Sequence, residues 1–295
     1  MAQVFRQVTV GKGMDQKASK PTVAEATSLY YFVWNCKLLA DMGALERIDT
    51  LKTDCLIIHL ERARARLPQV EATKDMLPLR THVVAAVDGQ QLSETQSRSY
   101  CQKLLRPYYP FELRPSEVAT FHSHRACWRR IIDEGLDAAL ILEDDLDLDP
   151  EVFLPALSLA MANAQPGYFV RFPIKLREDA IREIATSGPI RLQSYDRIGL
   201  GMVAQLVTRG AAMALLAVTE EFDRPIDDFL QMQWVHGVRV LTVWPSGVRE
   251  ISNELGGSLI SRKSGLFEKL RREILRPIYR RKMRSSARRN LDASR

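Results

Sequence analysis

An α/β fold with a largely parallel central sheet flanked by helices is the architecture this sequence predicts, on three observations. Short apolar runs alternate with helical stretches from Cys55 to Trp244, the pattern of strands joined by crossover helices. The chain has 295 residues, 46% of them hydrophobic and 26% charged, enough to bury a sizeable core and ordinary for a soluble globular protein. It holds no uncharged apolar run of about 18 residues, so a spanning helix is not expected.

The elements follow in order. Residues 1–22 are polar, and Val23–Met42 reads as a lead-in helix with a broad apolar face. Cys55–Leu60 (CLIIHL) is a strand and Arg62–Glu71 a helix; His82–Val87 is a strand closed by the Asp88-Gly89 turn signal. Ser116–Glu134 is a helix, started at Pro115-Ser116 and stopped by Gly135. Ala138–Leu142 (AALIL) is a buried strand that ends in Glu143-Asp144-Asp145, and Pro150–Asn163 is a helix. Tyr168–Phe172 and Met202–Val207 are strands, the second followed by a helix from Thr208. Ile226–His236 is a helix and Val238–Trp244 the last strand. The expected organisation is an extension (1–50), a main domain (51–262) and a basic amphipathic tail (263–295).

Charge is unevenly placed. The net charge is +6, yet the segment from Arg262 to Arg295 holds 13 Lys/Arg against 3 Asp/Glu, a local +10 that leaves the rest at −4. A basic tail on an acidic body argues against a nucleic-acid binder. Leu266, Phe267, Leu270, Ile274, Leu275, Ile278 and Tyr279 interleave with arginines and lysines, a stretch suited to anionic lipid headgroups, with Pro277 as a kink; a solvated tail is the alternative. Cys36, Cys55, Cys101 and Cys127 form no CxxC pair, which excludes a disulfide scaffold and a cysteine zinc site and fits buried thiols in a reducing compartment. The first residues lack a signal-peptide layout, so export is not expected.

Four stretches could carry chemistry. In LILEDDLDLDP (Leu140–Pro150) carboxylates follow directly on an apolar strand. Glu143, Asp144 and Asp145 must emerge at its carboxyl edge, because burying them unpaired is costly. Their mutual repulsion suits a Mg²⁺ or Mn²⁺ ion with positions left open for phosphate oxygens. A solvated loop capping the next helix is the alternative, and it is the better account of Asp147 and Asp149. No EF-hand or phosphohydrolase pattern is present. In the second stretch, Ile57 to Arg66, a strand leads into a turn rich in arginine, the natural partner of a diphosphate; exposed solvated arginines are the alternative. The third places Glu117 and His124 on one helix face with Trp128 a turn beyond, which a core helix would also explain. The fourth is Arg224 to Phe229, where Asp227 and Asp228 sit where a helix dipole favours carboxylates. P-loop, dinucleotide and hydrolase-elbow motifs are missing.

In this order and spacing the stretches resemble glycosyltransferase family 25, which includes lipooligosaccharide and collagen galactosyltransferases. The resemblance runs through Ile58-His59-Leu60-Glu61-Arg62 with Arg66, then Ala86-Val87-Asp88-Gly89, then Glu117 through Ser123-His124 with Trp128. It continues through Ile141-Leu142-Glu143-Asp144-Asp145, Gln205 to Ala211, and Pro225-Ile226-Asp227, and covers roughly residues 54–262. His59 replaces the usual Asn, Ala63 interrupts the paired arginines, and Gln205 stands for a tyrosine. The resemblance implies a GT-A-like nucleotide-sugar-binding fold and a metal-dependent, inverting transfer of a hexose, most often galactose, from a UDP-sugar to a glycolipid or oligosaccharide acceptor. On that pattern Asp144 and Asp145 hold Mn²⁺ or Mg²⁺. Arg62, Arg66, Asp88, Ser123, His124 and Glu143 contact the donor, and Asp227, with Glu117 in reserve, takes the acceptor proton. The expected setting is cytoplasmic, peripheral to the membrane through the tail, with no nucleic acid. A non-catalytic glycolipid- or membrane-surface-binding protein is the competing reading.

Overall fold

The computed structural model describes residues 51–176, 180–195, 197–252 and 266–293. The helix expected at Val23–Met42 lies outside them. β1 (Thr53–His59) is followed by a 3₁₀ turn (Arg64–Arg66) and α1 (Leu67–Met76). The helix starts later than the sequence suggests: Pro68, which has no N–H to donate, occupies its first turn and marks its beginning. β2 (Thr81–Ala85), α2 (Glu94–Arg98), α3 (Pro115–Asp133) and β3 (Ala138–Glu143) come next. β4 (Leu146–Leu148), α4 (Pro150–Ala162), β5 (Tyr168–Arg171), β6 (Arg182–Ser187) and β7 (Ile190–Ser194) follow. The chain continues through β8 (Ala204–Thr208), α5 (Arg209–Ala217), α6 (Ile226–Leu230), α7 (Gln233–His236), β9 (Arg239–Trp244), β10 (Val248–Glu250) and α8 (Leu266–Ala293).

Eight strands form one sheet in the order β2-β1-β3-β8-β5-β9-β7-β6, and β10 pairs with β4 in a small ribbon. β2, β1 and β3 are mutually parallel, as are β5 and β9. β8 runs against both β3 and β5, and β7 against β9 and β6, so six of the eight strands point the same way. The α/β architecture with a mostly parallel sheet is therefore the one expected.

Strand alternation divides the core in two. Cys55 and Ile57 of β1 and Leu140 and Leu142 of β3 face one side, under α4 (Phe153, Leu157) and α1 (Val70). Leu56, Ile58, Ala139 and Ile141 face the other, under α3 (Phe121, Trp128, Ile131) and α5 (Leu215). With both faces covered, the central strands read as continuous apolar runs.

Two further expectations change in detail. The helix expected over Ile226–His236 is broken at Gln231-Met232, and Gly237, at φ +68°, closes the second piece. The basic tail is not free: α8 runs through Pro277 as one helix and lays Tyr279 and Met283 against Met232, Leu105, Tyr109, Trp234 and Val235.

Candidate active site at the carboxyl edge of the sheet

β1, β2 and β3 end side by side, and the residues leaving them line a cleft of about 130 Å³. After β1 the chain turns back on itself, with Ala63 N donating to Leu60 O (2.7 Å) and Arg66 N to Ala63 O (2.9 Å). This carries Arg66 inward, where its buried guanidinium donates to Asp144 Oδ1 (2.5 Å) and lies 3.2 Å from Asp145 Oδ2. The other Asp144 oxygen accepts from His59 Nδ1 (2.7 Å) and Leu60 N (3.3 Å). Asp144 thus has both oxygens engaged inside the protein and fixes the first turn beyond β1.

Asp145 and Glu143 line the cleft together with Asp144. Burial and the charge of Glu143 push Asp145 up to about 6, against the pull of Arg66. Glu143 Oε1 lies 3.5 Å from Nε2 of the fully buried His124. The His124 Nδ1 is 3.1 Å from Gln205 Nε2; with the amide donating, Nδ1 accepts and the ring proton sits on Nε2, facing Glu143. That nitrogen has no hydrogen-bond partner.

At the rim, Arg62 Nε donates to Asp88 Oδ2 (2.7 Å), tying the turn after β1 to the turn after β2. The arginine and Gln90 N together hold the Asp88 carboxyl below its usual range. Ser123 also lines the cleft, but its hydroxyl accepts from Val87 N (2.9 Å) and donates to Ala119 O (2.9 Å), so it works as a splice between β2 and α3. Gly89 lets α3 approach, since a Cβ there would lie 2.8 Å from the Ser116 backbone.

The sequence model of glycosyltransferase family 25 (LPS biosynthesis protein) matches residues 52–230, which contain every residue of this cleft. The chain belongs to glycosyltransferase family 25. A family 25 member of Drosophila pseudoobscura pseudoobscura is 27% identical over 188 residues, 60% of this chain and 29% of the fly protein. Procollagen galactosyltransferase 2 of Homo sapiens is 26% identical over 194 residues, 61% of this chain and 30% of the human one. The match thus spans about three-tenths of the length of these relatives. Similar solved structures include a glycosyltransferase involved in the glycosylation of the major capsid of PBCV-1, with 9% identity, a TM-score of 0.28 and coverage of 56% of this chain and 64% of that one. Mannose-1-phosphate geranyltransferase from Thermus thermophilus gives 15% identity, a TM-score of 0.33 and coverage of 65% and 74%.

The two family 25 residues expected to move the acceptor proton lie apart from this cleft's lining. Glu117 Oε2 accepts from Arg114 N (2.7 Å) and so caps the start of α3. Asp227, in the first turn of α6, accepts from Gly201 N (3.1 Å) and Asp228 N (2.9 Å); burial raises its pKa, opposed by those two bonds and by Arg171. Its neighbour Asp228 is pushed up to about 7 by burial and by Asp227, against Arg224, Arg280 and Arg276. Arg171, Lys175 and Glu250, none of them singled out from the sequence, line a second cleft on the same edge of the sheet. Arg171 was findable by the rule that exposed Glu143, since it too closes an apolar strand.

Glu143 and Asp145 fit a hard divalent cation: both are oxygen donors, both open on the cleft, and their charges oppose one another. Another group of potential ligands among the described residues joins Asp54, His82 and Glu134, with ligand atoms within 4.8 Å of one another. It lies at the amino ends of β1 and β2, the far end of the strands from the cleft. Glu134 is already paired there with Arg130 (2.6 Å), and Asp54 Oδ2 lies 3.0 Å from His82 Nε2.

Proposed function

We propose that the chain is a metal-dependent, inverting glycosyltransferase of GT-A type that moves a hexose, galactose, from a UDP-sugar to a lipopolysaccharide, lipooligosaccharide or other cell-surface glycan. The observation that carries this reading is the convergence of Arg66, Glu143 and Asp145 on one cleft at the carboxyl edge of the sheet, where α/β folds bind their ligands. Family membership and the procollagen galactosyltransferase relatives support the reaction class and the sugar.

In this reading the acceptor hydroxyl attacks the anomeric carbon from the face opposite the diphosphate. The bond to the diphosphate oxygen breaks, and its electron pair leaves with UDP. Asp145 and Glu143 would hold Mn²⁺ or Mg²⁺, which supplies Lewis-acid stabilisation of the departing diphosphate. Arg66 adds positive charge where the leaving group gains negative charge, held in place by Asp144. His124, with its ring proton on Nε2, stands 3.5 Å from Glu143 as its buried polar neighbour on α3. Arg62 and Asp88 together frame the nucleoside end. Asp227, whose carboxyl accepts from Gly201 N and is raised in pKa by burial, takes the acceptor hydroxyl's proton in this reading, with Glu117 in reserve.

The outer face of α8 is suited to a membrane-surface acceptor, and we take the setting to be cytoplasmic and peripheral. Ile274 and Ile278 are 56% and 48% exposed, next to the exposed Arg271, Arg281 and Lys282, while Tyr279 and Met283 face the protein. The deciding experiment is UDP release from a panel of UDP-sugars, with Mn²⁺ and with chelator. Metal-dependent release, highest with UDP-galactose, is expected; release from no donor under either condition would leave only a binding protein.

A further inference from the structure

The segment between α2 and α3 is a loop tied down at several points. Cys101 N donates to Phe222 O and Leu105 N to Asp223 Oδ2, both at 2.9 Å, and Leu113 N donates to the Tyr100 hydroxyl (3.0 Å). The buried Arg224 holds the loop from beneath through the carbonyls of Leu105 (2.7 Å) and Pro107 (3.2 Å). Between these ties the side chains alternate. Leu105 and Tyr109 pack inward with Met232, Tyr279 and Met283. Leu104 and Tyr108 turn outward, 41% and 44% exposed, with Lys103 and Arg106 exposed beside them. The Arg106 guanidinium stands 5.1 Å over the Tyr108 ring.

This surface continues onto α8. Arg271, Ile274 and Ile278 stand at i, i+3 and i+7, one stripe of the helix, and Arg271 Nη2 donates to Pro110 O of the loop (3.3 Å). Four exposed apolar side chains on two touching elements are more than the single ones that a soluble protein scatters over its surface. The charge around them has one sign. From Gln102 to Phe111 the loop holds Lys103 and Arg106 and no carboxylate, and from Arg271 to Asn290 α8 holds nine Lys/Arg against Glu273. Lys103, Arg106, Arg281 and Lys282 have no carboxylate partner among the described residues. Cations without partners around leucine, isoleucine and tyrosine match an anionic bilayer: phosphates take the cations, and the apolar side chains enter the headgroup layer. The face also lies near the acceptor-side carboxylates. Burial, and after it the charges of Asp228, Glu117 and Asp227, raise the pKa of the Tyr109 hydroxyl, so all three stand within electrostatic reach of the loop's inner side.

We propose that the loop 103–108 and the Arg271–Ile278 stripe are one docking face for an anionic lipid surface, with Leu104 and Tyr108 as an insertion point separate from α8. The inference rests on the membrane-surface reading of α8 and adds the loop to it. It is tested by flotation of the full chain with vesicles of phosphatidylcholine alone and of phosphatidylcholine mixed with phosphatidylglycerol. The parent should bind the mixed vesicles and not the neutral ones. Leu104→Glu with Tyr108→Glu should weaken that binding about tenfold or more and leave the melting temperature in place, since both side chains are exposed. Lys103→Gln with Arg106→Gln, which keeps the apolar side chains, should weaken it about fivefold for each cation lost and flatten its salt dependence. Loop variants that bind as the parent does, while Ile274→Glu with Ile278→Glu abolishes binding, would overturn the loop's part and leave the α8 reading standing. A parent that binds neither vesicle loses both readings, and equal binding to the two vesicles removes the anionic lipid. A parent that sediments as a dimer and becomes monomeric with Leu104→Glu and Tyr108→Glu would give the face to a second copy of the chain instead.

Discussion

Single residues here act mostly by holding other residues. Arg224 is fully buried beside Asp223 and donates to Asp223 Oδ1 (2.7 Å), Leu105 O (2.7 Å), Pro107 O (3.2 Å) and the Tyr279 hydroxyl (3.0 Å). Arg224→Met would leave the Asp223 carboxylate buried without its partner, so urea unfolding should show a loss of about 3–5 kcal/mol. His236 is a second case. Its Nε2–H donates to Leu230 O (3.1 Å), its Nδ1 accepts from Val238 N (3.0 Å), and burial pulls its pKa from 6.5 down to about 4. Above pH 6.5 both folded and unfolded states hold it neutral. As pH falls from about 6.5 to about 4 the unfolded chain gains a proton that the folded one refuses, so about 3 kcal/mol of stability is lost across that window. Urea midpoints of the parent and of His236→Gln, compared from pH 7.5 to pH 4, should converge as the medium becomes more acidic; a constant gap would contradict the assignment.

At the scale of elements, what the sequence made legible followed from periodicity and from chemistry that burial forbids. β3 could be read because five successive apolar residues end in three carboxylates, and its neighbours β1 and β2 because each stops at a charged turn. The β6–β7 hairpin escaped because its first strand, REIATS, is nowhere fully buried and so lacks a strong apolar run; its Gly188-Pro189 turn, with glycine at φ +56°, was the available signal. Nor could local pattern show that β8 runs antiparallel, since a strand covered on both faces looks alike in either direction. For the same reason the second cleft, which depends on that direction, was hidden. α8 was legible as basic and amphipathic but not as docked, because the socket for Tyr279 is assembled from Arg224, Tyr109 and Met232, distant in sequence. The docked and exposed faces make separate predictions. Ile274→Glu with Ile278→Glu should release the protein from vesicles containing anionic lipid in a flotation assay and leave its melting temperature in place, since both side chains are exposed. Vesicle binding that survives both changes would remove the membrane surface from the account.

For the molecule as a whole, the sheet sets two clefts against one segment. Parallel β1, β2 and β3 deliver Arg62, Arg66, Glu143 and Asp145 to one cleft, and the reversed β8 opens another on the far side of Glu143–Asp145. Arg62, Arg66, Ser123, His124, Glu143, Asp144 and Asp145 were each picked out from the sequence and line the first cleft; the structure adds that Asp144 and Ser123 also spend their side-chain oxygens on internal bonds. The central claim is that Asp145 and Glu143, through a cation, hold the leaving diphosphate. Its most direct test is the rate of UDP release from the best UDP-sugar by Asp145→Asn against the parent chain, both with saturating Mn²⁺. A fall of about 100-fold or more with the fold intact is predicted, and turnover equal to that of the parent would contradict the account.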